Sequence, residues 1–587
     1  MKKSLYLAIL LCFLPAISLA ATHYISPTGT DTWANSTNIA TPCSLATANT
    51  NADDDDIVYL RAGTYTTMIS PANSGSSGHV VTWQNYNGEE VLVAPSTGSA
   101  VYLDDSYHKF EGLKFMPSNP AAGNTYIFHI RGNYNEVKSC SITGTDPEGK
   151  RDDGIRLSGI VIEGGDYNTV DDCTVQSLSD QGITSGDNGT NVAIGNTIKN
   201  STSYGHFGNG IAVQSGQSTD QVFLAENNLL GGSIASDGFQ TNGDYSVGNT
   251  TCWGVTIRGN TLYNNAENGI DIKGARYFVI ENNIIYGNIG DNDGFTDDAN
   301  DTVGGYAINR GSNQGAAYVI VRGNVIFDNH GGILMYQNFR TYHNTILNNR
   351  RTYTGPNQTD GSYGLFGAYR QSGPTYFINN ISAGNQYQAV TNDDFARSDY
   401  NLYYDPDQAA EFYDTNDTAV DFTDWKAALV AYGQTNPEAN SSVEDPDLTT
   451  ANGYRPTGAY TQWDFSPVAA GAADGTAGPV VYVNGTTGTV ESCVIDASWF
   501  FVVGDQIRIG TDDVTLTSVN STTISWSGAV AITDNDPIYW CPDGVCMEDI
   551  GALPVGTTPP SEPALTTNSG RITTGYGRIG AGYGRMQ

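Results

Sequence analysis

The sequence is poor in positive charge. Its 587 residues include 27 lysines and arginines against 62 aspartates and glutamates, and the net charge at pH 7 is −35. Nucleic acids and anionic membrane surfaces attract proteins mainly through lysine and arginine, so we expect neither as a partner. The excess of carboxylates has two interpretations: a well-solvated surface, or side chains that hold cations.

Long apolar segments are scarce as well. The only one is the start of the chain, MKKSLYLAILLCFLPAISLA, where two lysines precede a short apolar stretch and small residues occupy positions 18 and 20. This is the pattern of a secretory signal peptide cleaved after Ala20, whereas a membrane anchor needs a longer run without Pro15. We therefore predict a signal peptide over residues 1–20. The mature protein is expected to be exported, extracellular or periplasmic, without a membrane span and as a monomer.

Cysteines are few and lack metal-binding spacing. Removal of the signal peptide leaves seven, at positions 43, 140, 173, 252, 493, 541 and 546. An odd number in an exported chain leaves at least one thiol free or paired with another molecule. Because no CxxC pair or Cys/His cluster is present, we expect no zinc site.

Helical periodicity is nearly absent, with its best candidate at TDWKAALVAYG (423–433), and a repeat of short strands takes its place. The pattern Asn-x-apolar recurs at separations of between 20 and 41 residues. Its asparagines are Asn196, Asn228, Asn260, Asn283, Asn324, Asn344 and Asn380. Each unit carries a second strand that begins with glycine and an apolar residue, such as GIAVQ and NGIDIK, and alternates with period two. This repeat predicts an all-β parallel β-helix in which the asparagines stack in one column.

The same column contains cysteines on two successive coils. CSITG and CTVQS place Cys140 and Cys173 where the other units have asparagine. Stacked positions lie about 4.8 Å apart, so both free thiols and a disulfide are compatible with the spacing.

Changes in composition mark the boundaries of the repeat. We predict a β-helix with N-terminal and C-terminal caps over residues 21–478, interrupted by a small β-barrel-like insert over 479–546. MEDIGALP is expected to supply a closing strand over 547–554. The Pro/Thr-rich linker and the GYGR tail, 555–587, are expected to be disordered.

The ends of this frame resemble a known group of proteins. HYISPTGTDTW near the start and DIGALP near the end resemble secreted right-handed parallel β-helix proteins, a group rich in polysaccharide lyases. More specifically, ASDGFQT followed one coil later by NAENGIDIK resembles the calcium site of the family 9 pectate lyases. Asp237 matches that family's first aspartate, Glu267 and Asn268 match its Asp-Asp pair, and Asp271 matches its last aspartate. The resemblance implies a Ca²⁺ ion held by these four side chains.

The resemblance fails at the catalytic base. In the family this base is a lysine on the next coil, and the matching strand here, GGYAINRG, has Ala307 in its place. Removal of the proton α to a uronate carboxylate needs a base and a cation that stabilises the enolate. Lys273 lies two residues beyond Asp271, on the same face of the strand. A calcium ion on Asp271 would lower the pKa of Lys273 and make it a base, whereas the alternative is a simple ion pair between the two.

Other side chains near this motif have weaker support. Arg310 is a candidate base or carboxylate clamp, because its fork binds carboxylates, and His330 is a further candidate base. Two tyrosines, Tyr306 and Tyr336, could stack on sugar rings. His206 is expected to be structural. The acidic segment 290–305 is interpreted as a solvated loop, with a second calcium site as the alternative.

The leading hypothesis is an exported, calcium-dependent lyase that cleaves a uronate-containing polysaccharide by β-elimination. One alternative is a glycoside hydrolase on the same fold that uses pairs from Asp237, Glu267 and Asp271 as acid and base. Another is a carbohydrate-binding or surface protein without catalysis. An acidic polysaccharide is the expected partner, and Ca²⁺ the expected cofactor.

Overall fold

The computed structural model describes residues 20–116, 123–144, 153–186, 193–214, 223–242, 252–273, 275–288, 305–310, 318–335, 338–349, 365–367, 375–389, 395–406, 409–413, 418–431, 434–446, 448, 477–497, 500–542 and 546–547. Several predictions lie outside these residues: the signal peptide apart from Ala20, the acidic segment apart from Gly305, Tyr336, the closing strand apart from Met547, and the tail.

Three long parallel sheets form the main body. Sheet A contains Thr22–Ile25, Ile57–Leu60, Val81–Asn85, His108–Glu111, Glu136–Lys138, Thr169–Asp171, Thr197–Lys199, Phe223–Glu226, Val255–Arg258, Phe278–Glu281, Val319–Arg322, Phe339–Tyr342, Thr375–Ile378 and Phe395–Asp399. Sheet B contains Gly63–Tyr65, Val91–Val93, Lys114–Phe115, Ser141–Thr143, Thr174–Gln176, Thr202–Tyr204, Leu229–Gly231, Thr261–Tyr263, Ile284–Tyr286, Val325–Phe327, Thr345–Leu347, Ile381–Ala383, Leu402–Tyr404 and Ser442–Val443. Sheet C contains Val101–Leu103, Gly123–Ile130, Ile155–Ile162, Ile183–Ser185, Ile211–Gln214, Phe239–Asn242, Ile270–Ile272, Tyr306–Arg310, Gly331–Met335 and Leu365–Gly367.

The chain visits the sheets in turn, so successive coils add strands to sheets A and B, and ten of the described strands also build sheet C; the body is a parallel β-helix, as predicted. Apolar residues one coil apart pair in register and fill the centre. In sheet A, for example, Val137, Val170, Ile198 and Ala225 are consecutive partners, and all four are fully buried. Since the strands are only a few residues long, the coils gain most of their stability from stacking on their neighbours.

Few helices accompany the strands. Two short 3₁₀ helices, Ala34–Thr37 and Tyr86–Gly88, and one α-helix, Leu45–Asn51, lie among the first coils. The predicted helix near 423–433 is present as Phe422–Ala431. Two short strand pairs lie outside the three long sheets of the β-helix: Cys252–Trp253 with Ala275–Arg276, and Phe412–Tyr413 with Ala419–Val420. Within the described residues, no helix is long and apolar enough to cross a bilayer.

The asparagine column lies at the bend between sheets A and B. Each asparagine's Oδ1 accepts the backbone N–H of the residue one coil earlier, from Asn228 through Asn260, Asn283, Asn324, Asn344 and Asn380 to Asn401. The prediction is therefore confirmed for six of its seven asparagines. It is wrong for Asn196, which precedes a strand of sheet A and receives the N–H of Asn168 at a different bend. Ser201 occupies the corresponding place in the column, where its N–H donates to Asn228.

The sequence motifs contain a further column that was not predicted. In NTLYNN and its relatives the asparagine five residues later also stacks, at the bend that follows sheet B. This second column runs through Asn265, Asn288, Asn329, Asn349 and Asn385. Residues just before the first column have a left-handed backbone, with φ of 54° at Asn227 and 64° at Gly259. Asparagine and glycine tolerate this conformation best, which explains the paired asparagines of the repeat.

The predicted insert is a separate small barrel. Its antiparallel strands are Val481–Tyr482, Gly488–Val494, Gln506–Ile509, Asp512–Asn520, Thr523–Ile532 and Pro537–Trp540. A bridge between Val483 and Ile495 joins the first two of them and closes the sheet on itself. The barrel packs against the outer face of sheet A, where Arg322 forms two hydrogen bonds with Asp505, of 2.6 and 2.7 Å. The Arg322 guanidinium also lies 4.4 Å from the Trp540 ring.

The six cysteines whose side chains the structure describes divide into one disulfide and four thiols. Cys541 and Cys546 are joined, just after the last strand of the barrel. Cys140 and Cys173 are buried free thiols, as are two others, Cys43 and Cys493. The sequence left both states open for Cys140 and Cys173, and the structure has the thiols.

Candidate active site

The candidate site lies on the outer face of sheet C. In the strand Ile270–Ile272, the two isoleucines are fully buried in the core of the coil, whereas Asp271 points to the opposite face. Strand pairing places Gln240 beside Asp271 on the preceding coil and Asn309 beside it on the following coil. Three polar side chains are thus stacked at successive positions of one column.

Asp271 forms a close ion pair with the lysine two residues later. The distance between Lys273 Nζ and Asp271 Oδ2 is 2.8 Å, and the Asp271 side chain is only 3% exposed. Burial raises the pKa of Asp271, although Lys273 opposes the increase. Burial alone would lower the pKa of Lys273, but the charges of Asp271, Asp237 and Glu267 outweigh it and hold this pKa well above its ordinary value. In this arrangement Lys273 is an ammonium ion and not a base.

Asp237 belongs to a polar ladder at the bend before sheet C. The backbone N–H of Asp237 donates to Asn209 Oδ1 at 3.1 Å, and Asp237 Oδ1 accepts the backbone N–H of Asn268 at 2.9 Å. The N–H of Asn209 donates in turn to the Gln181 side chain, so the ladder spans four coils. Asp237 is the only acid among these four residues.

The ladder accounts for most of the hydrogen-bonding capacity of Asp237 and Asn268. Asp237 Oδ1 also accepts from Asn268 Nδ2 at 2.9 Å, and its Oδ2 accepts from Gln240 Nε2 at 2.7 Å. Asn268 Oδ1 accepts the backbone N–H of Tyr306 at 2.9 Å. Burial raises the pKa of Asp237 well above its ordinary value, and repulsion from Asp271 and Glu267 raises it further.

Two oxygens in the site lack hydrogen-bond partners. Asp271 Oδ1 and Asn309 Oδ1 are both buried, and within the described part of the chain neither accepts a hydrogen bond. Buried polar atoms are nearly always satisfied, so an unpaired oxygen on each of two neighbouring strands could accept from or coordinate a ligand. Carboxylate and amide oxygens are the donors that a hard cation such as Ca²⁺ prefers.

The four predicted metal ligands do not form a closed cage. Among the described residues, the only group with three carboxylate, imidazole or thiol ligand atoms within 4.8 Å of one another surrounds the Cys541–Cys546 disulfide. At least one pair among the carboxylates of Asp237, Glu267 and Asp271 is therefore further apart than that. Asn268 faces Asp237 as a ladder residue, so Asp271 and Asn309 present the more suitable oxygens.

On the coil that follows Asp271, the residue beside the site is Asn309, which the sequence analysis did not name, and not Ala307. Ala307 is fully buried in the hydrophobic core, where a lysine could not reach the site. The comparison aligned Ala307 with the missing lysine, but strand pairing shows that Asn309 lies next to Asp271. The signal was the isoleucine that the two strands share, because pairing Ile308 with Ile270 places Asn309 beside Asp271.

The remaining candidates are less directly connected to Asp271. Arg310 pairs with Ile272 along the backbone, and its side chain lies outside what the structure describes. His330 is buried at the bend before the strand Gly331–Met335, two strands from Asp271, with its ring 6.1 Å from that of Tyr306. His206 is fully buried against Ser203, with Nε2 and Oγ 2.9 Å apart.

Comparison with known proteins supports the fold. The family described as "Right handed beta helix region" matches residues 197–395, a stretch that contains the candidate site. Together with the three parallel sheets, this match identifies the body as an all-β right-handed parallel β-helix. Among curated proteins, no sequence matches this chain significantly.

Solved structures with similar folds have diverse activities. One is the pectate lyase Pel9A, with 17% identity over 62% of this chain and 76% of that chain, and a TM-score of 0.33. Another is the GH136 lacto-N-biosidase from Eubacterium ramulus, with 12% identity over 66% of this chain and 64% of that chain, and a TM-score of 0.38. A third is a mannuronic acid-specific family 6 polysaccharide lyase from human gut microbiota, with 17% identity over 66% and 87%, and a TM-score of 0.41.

Proposed function

We propose that this protein is an exported polysaccharide lyase that cleaves a uronate-containing glycan by calcium-dependent β-elimination at the Asp271 site. The observation that carries the proposal is the pair of buried, unpartnered oxygens on Asp271 and Asn309, beside a lysine on the same face. The resemblance of the 237–271 segment to the calcium site of family 9 pectate lyases supports the same chemistry.

The donor chemistry of the site suits calcium. Asp271 Oδ1 and Asn309 Oδ1 are hard oxygen ligands on adjacent coils, and Asp237 and Glu267 add negative charge nearby. Asp271 and Asn309 would hold the ion, with Glu267 as a further carboxylate. Bound calcium would stabilise the negative charge that develops on the uronate carboxylate as the proton leaves.

The protonation state of Lys273 depends on whether Asp271 is paired with it or with another ligand. While Asp271 neutralises it, Lys273 keeps its proton and cannot accept another. When the charge of Asp271 is engaged elsewhere, Lys273 loses its ion-pair partner and its pKa falls, because burial disfavours the ammonium form, although Asp237 and Glu267 still favour it. Lys273 Nζ can then accept the proton α to the uronate carboxylate. This dependence would prevent Lys273 from acting as a base until the site is assembled.

The experiment measures cleavage of uronate polysaccharides, such as polygalacturonate and alginate, with calcium and with a chelator. A lyase produces an unsaturated sugar that absorbs ultraviolet light, whereas a hydrolase produces new reducing ends without that absorbance. We expect ultraviolet-absorbing product only with calcium. Reducing ends without ultraviolet absorbance would replace the proposal with the hydrolase alternative, and no product on any uronate polysaccharide would refute an enzyme of this class.

Variants locate the activity within the molecule. Asp271→Asn and Asn309→Ala should each weaken calcium binding, measured by calorimetry, at least tenfold, and should reduce turnover. The matched control is Asp171→Asn, which removes another outward carboxylate paired with a lysine, Lys199, on sheet A. Equal effects of the control and site variants would show that general charge, and not this site, controls calcium binding.

A further inference from the structure

A second polar cluster lies on the same face of sheet C, nearer the N-terminus. His129 is its centre: the residue is 9% exposed, and its Nε2 lies 2.7 Å from Glu163 Oε2. Two half-buried tyrosines, Tyr102 and Tyr126, approach the imidazole edge-on, with ring centroids 5.2 and 5.0 Å away. Arg131, which is nearly half exposed, donates from Nη1 to the Tyr102 hydroxyl at 3.0 Å.

The free nitrogen of His129 is available to a ligand. Because Nε2 faces a carboxylate, it carries the imidazole proton, and Nδ1 is then a hydrogen-bond acceptor. Within the described residues Nδ1 has no hydrogen-bond partner, and it is not among the nitrogen and oxygen atoms sealed from solvent. Burial lowers the pKa of His129, although Glu163 opposes the decrease, so the ring remains a neutral acceptor near pH 7.

The geometry connects this cluster with the candidate site. His129, which is paired with Tyr102 on the preceding strand, belongs to a column of paired residues that continues through Val161, Thr184, Ala212 and Gln240 to Asp271. The four residues between His129 and Asp271 in this column are uncharged, so ionisable side chains are concentrated at two places. Five strand spacings separate His129 from Asp271, a distance of about 24 Å along the sheet.

The charges around His129 select the type of ligand. Arg131 lies between two carboxylates, 3.6 Å from Asp104 and 3.7 Å from Glu163, so its positive charge is already more than balanced. A third carboxylate, from a uronate, would be repelled. An uncharged sugar can donate a hydroxyl to Nδ1 of His129 and accept from the remaining N–H groups of Arg131.

We propose that His129, Arg131 and their two tyrosine neighbours form a second glycan-binding site, which takes an uncharged sugar unit. The site is independent of the lyase reaction, because no residue of the Asp271 cluster contributes to it. It would bind a neutral stretch or branch of a glycan about 24 Å from the place where a uronate is cleaved. The proposal therefore stands or falls separately from the proposed activity.

The test is calorimetric binding of two sets of hexasaccharides to the mature protein. One set contains neutral β-linked glucose, mannose and xylose oligomers, and the other contains galacturonate and mannuronate oligomers. We expect at least one neutral oligomer to bind, and its affinity to fall at least tenfold in His129→Phe and in Arg131→Met. Asp271→Asn should leave this affinity unchanged. The matched control is Arg156→Met, which removes another half-exposed arginine of sheet C, paired with Asp180.

A direct probe protects the test against a variant that fails to fold. In the unsubstituted protein, the nitrogen resonances of His129 should shift when the neutral oligomer is added, because Nδ1 gains a hydrogen bond. Absence of neutral-oligomer binding would overturn the proposal, as would binding that leaves His129 unshifted or that Arg131→Met does not weaken. Binding of uronate oligomers at His129 in preference to neutral ones would overturn the charge argument.

Discussion

Asp237→Asn separates the two roles that the structure gives to this residue. As a ladder residue, Asp237 connects Asn209 to Asn268 through hydrogen bonds that an amide could also make. When ionised, it contributes a buried negative charge beside Asp271 and Lys273, against the burial that raises its pKa. The substitution keeps the shape and removes only the charge, so fold stability and function should change in opposite directions.

The expected effect on stability is small and favourable. Asparagine retains Oδ1 for Asn268, loses the hydrogen bond from Gln240, and gains an N–H₂ group that can donate to Asn209. Since a typical hydrogen bond contributes about 1 kcal/mol, these changes nearly cancel. The penalty for burying an acid disappears, so we expect the variant to be as stable as the natural protein or up to roughly 3 kcal/mol more stable at pH 7.

The expected effect on function is large and unfavourable. At an effective dielectric constant of about 20, a unit charge within ~10 Å of a divalent cation contributes roughly 3 kcal/mol to its binding. We therefore expect calcium affinity and turnover to fall at least tenfold in Asp237→Asn. Calorimetry measures the affinity, product formation measures the turnover, and the midpoint of urea denaturation reports stability.

The matched control reverses the substitution in the other ladder. Asn260 is fully buried and its Nδ2 donates to Ala225 O and Asn283 Oδ1, so Asn260→Asp should destabilise by about 3 kcal/mol and leave calcium affinity unchanged. A destabilised Asp237→Asn protein would show that the charge has a structural purpose. A stable variant with undiminished affinity and turnover would refute the functional role of Asp237.

Three further predictions concern other buried charges. Lys273→Met should abolish turnover and should destabilise the protein in the presence of a chelator by about 3 kcal/mol, because Asp271 loses its cationic partner. Calcium should restore most of this stability. Equal denaturation midpoints with calcium and with chelator would contradict the reasoning. Glu438 lies at the C-terminal end of the asparagine column, where burial raises its pKa to about 7. The protonated side chain therefore gives its full contribution to folding stability below the unfolded pKa near 4.5. That effect, about 3 kcal/mol, should be lost as the pH rises through 7, and Glu438→Gln should remove the dependence in pH-resolved hydrogen exchange. Asp505→Ala leaves Arg322 buried with one carboxylate fewer and should loosen the barrel from sheet A by about 3 kcal/mol, detected as faster proteolysis between residues 478 and 546.

The fold could be predicted because the same kinds of interaction stabilise one coil of the β-helix after another. A buried apolar residue and a stacked asparagine recur in each unit, so no single position had to be identified correctly. The error at Asn196 shows the limit of this reasoning. NTIKN has the same pattern as NTILNN, but the first precedes a strand of sheet A and the second a strand of sheet B. Only the partners in neighbouring coils, Asn168 for Asn196 and Asn380 for Asn344, distinguish the two bends.

The composition of the site was harder to predict, because it depends on register between coils. Asp271 and Lys273 share a face by simple alternation, and their ion pair was one of the two stated alternatives. Asn309 was missed, because the segment before it varies in length and hides the alignment of its strand. Ile308 and Ile270 pair across that segment and so place Asn309 beside Asp271, whereas Ala307 was considered only because it matches the family's lysine.

Deviation from the repeat is the sequence signal that best distinguishes site residues from structural ones. A ladder favours amides, because an amide both accepts from one neighbour and donates to the other, whereas a carboxylate can only accept. Gln181, Asn209 and Asn268 satisfy this requirement, and Asp237 between them does not. An acid in a column of amides has a structural cost on its own coil, so its presence needs a benefit elsewhere. Asp271, Lys273 and the unpartnered oxygen of Asn309 lie within reach of that charge, which is why the function is proposed here and not at the many other carboxylates of the chain.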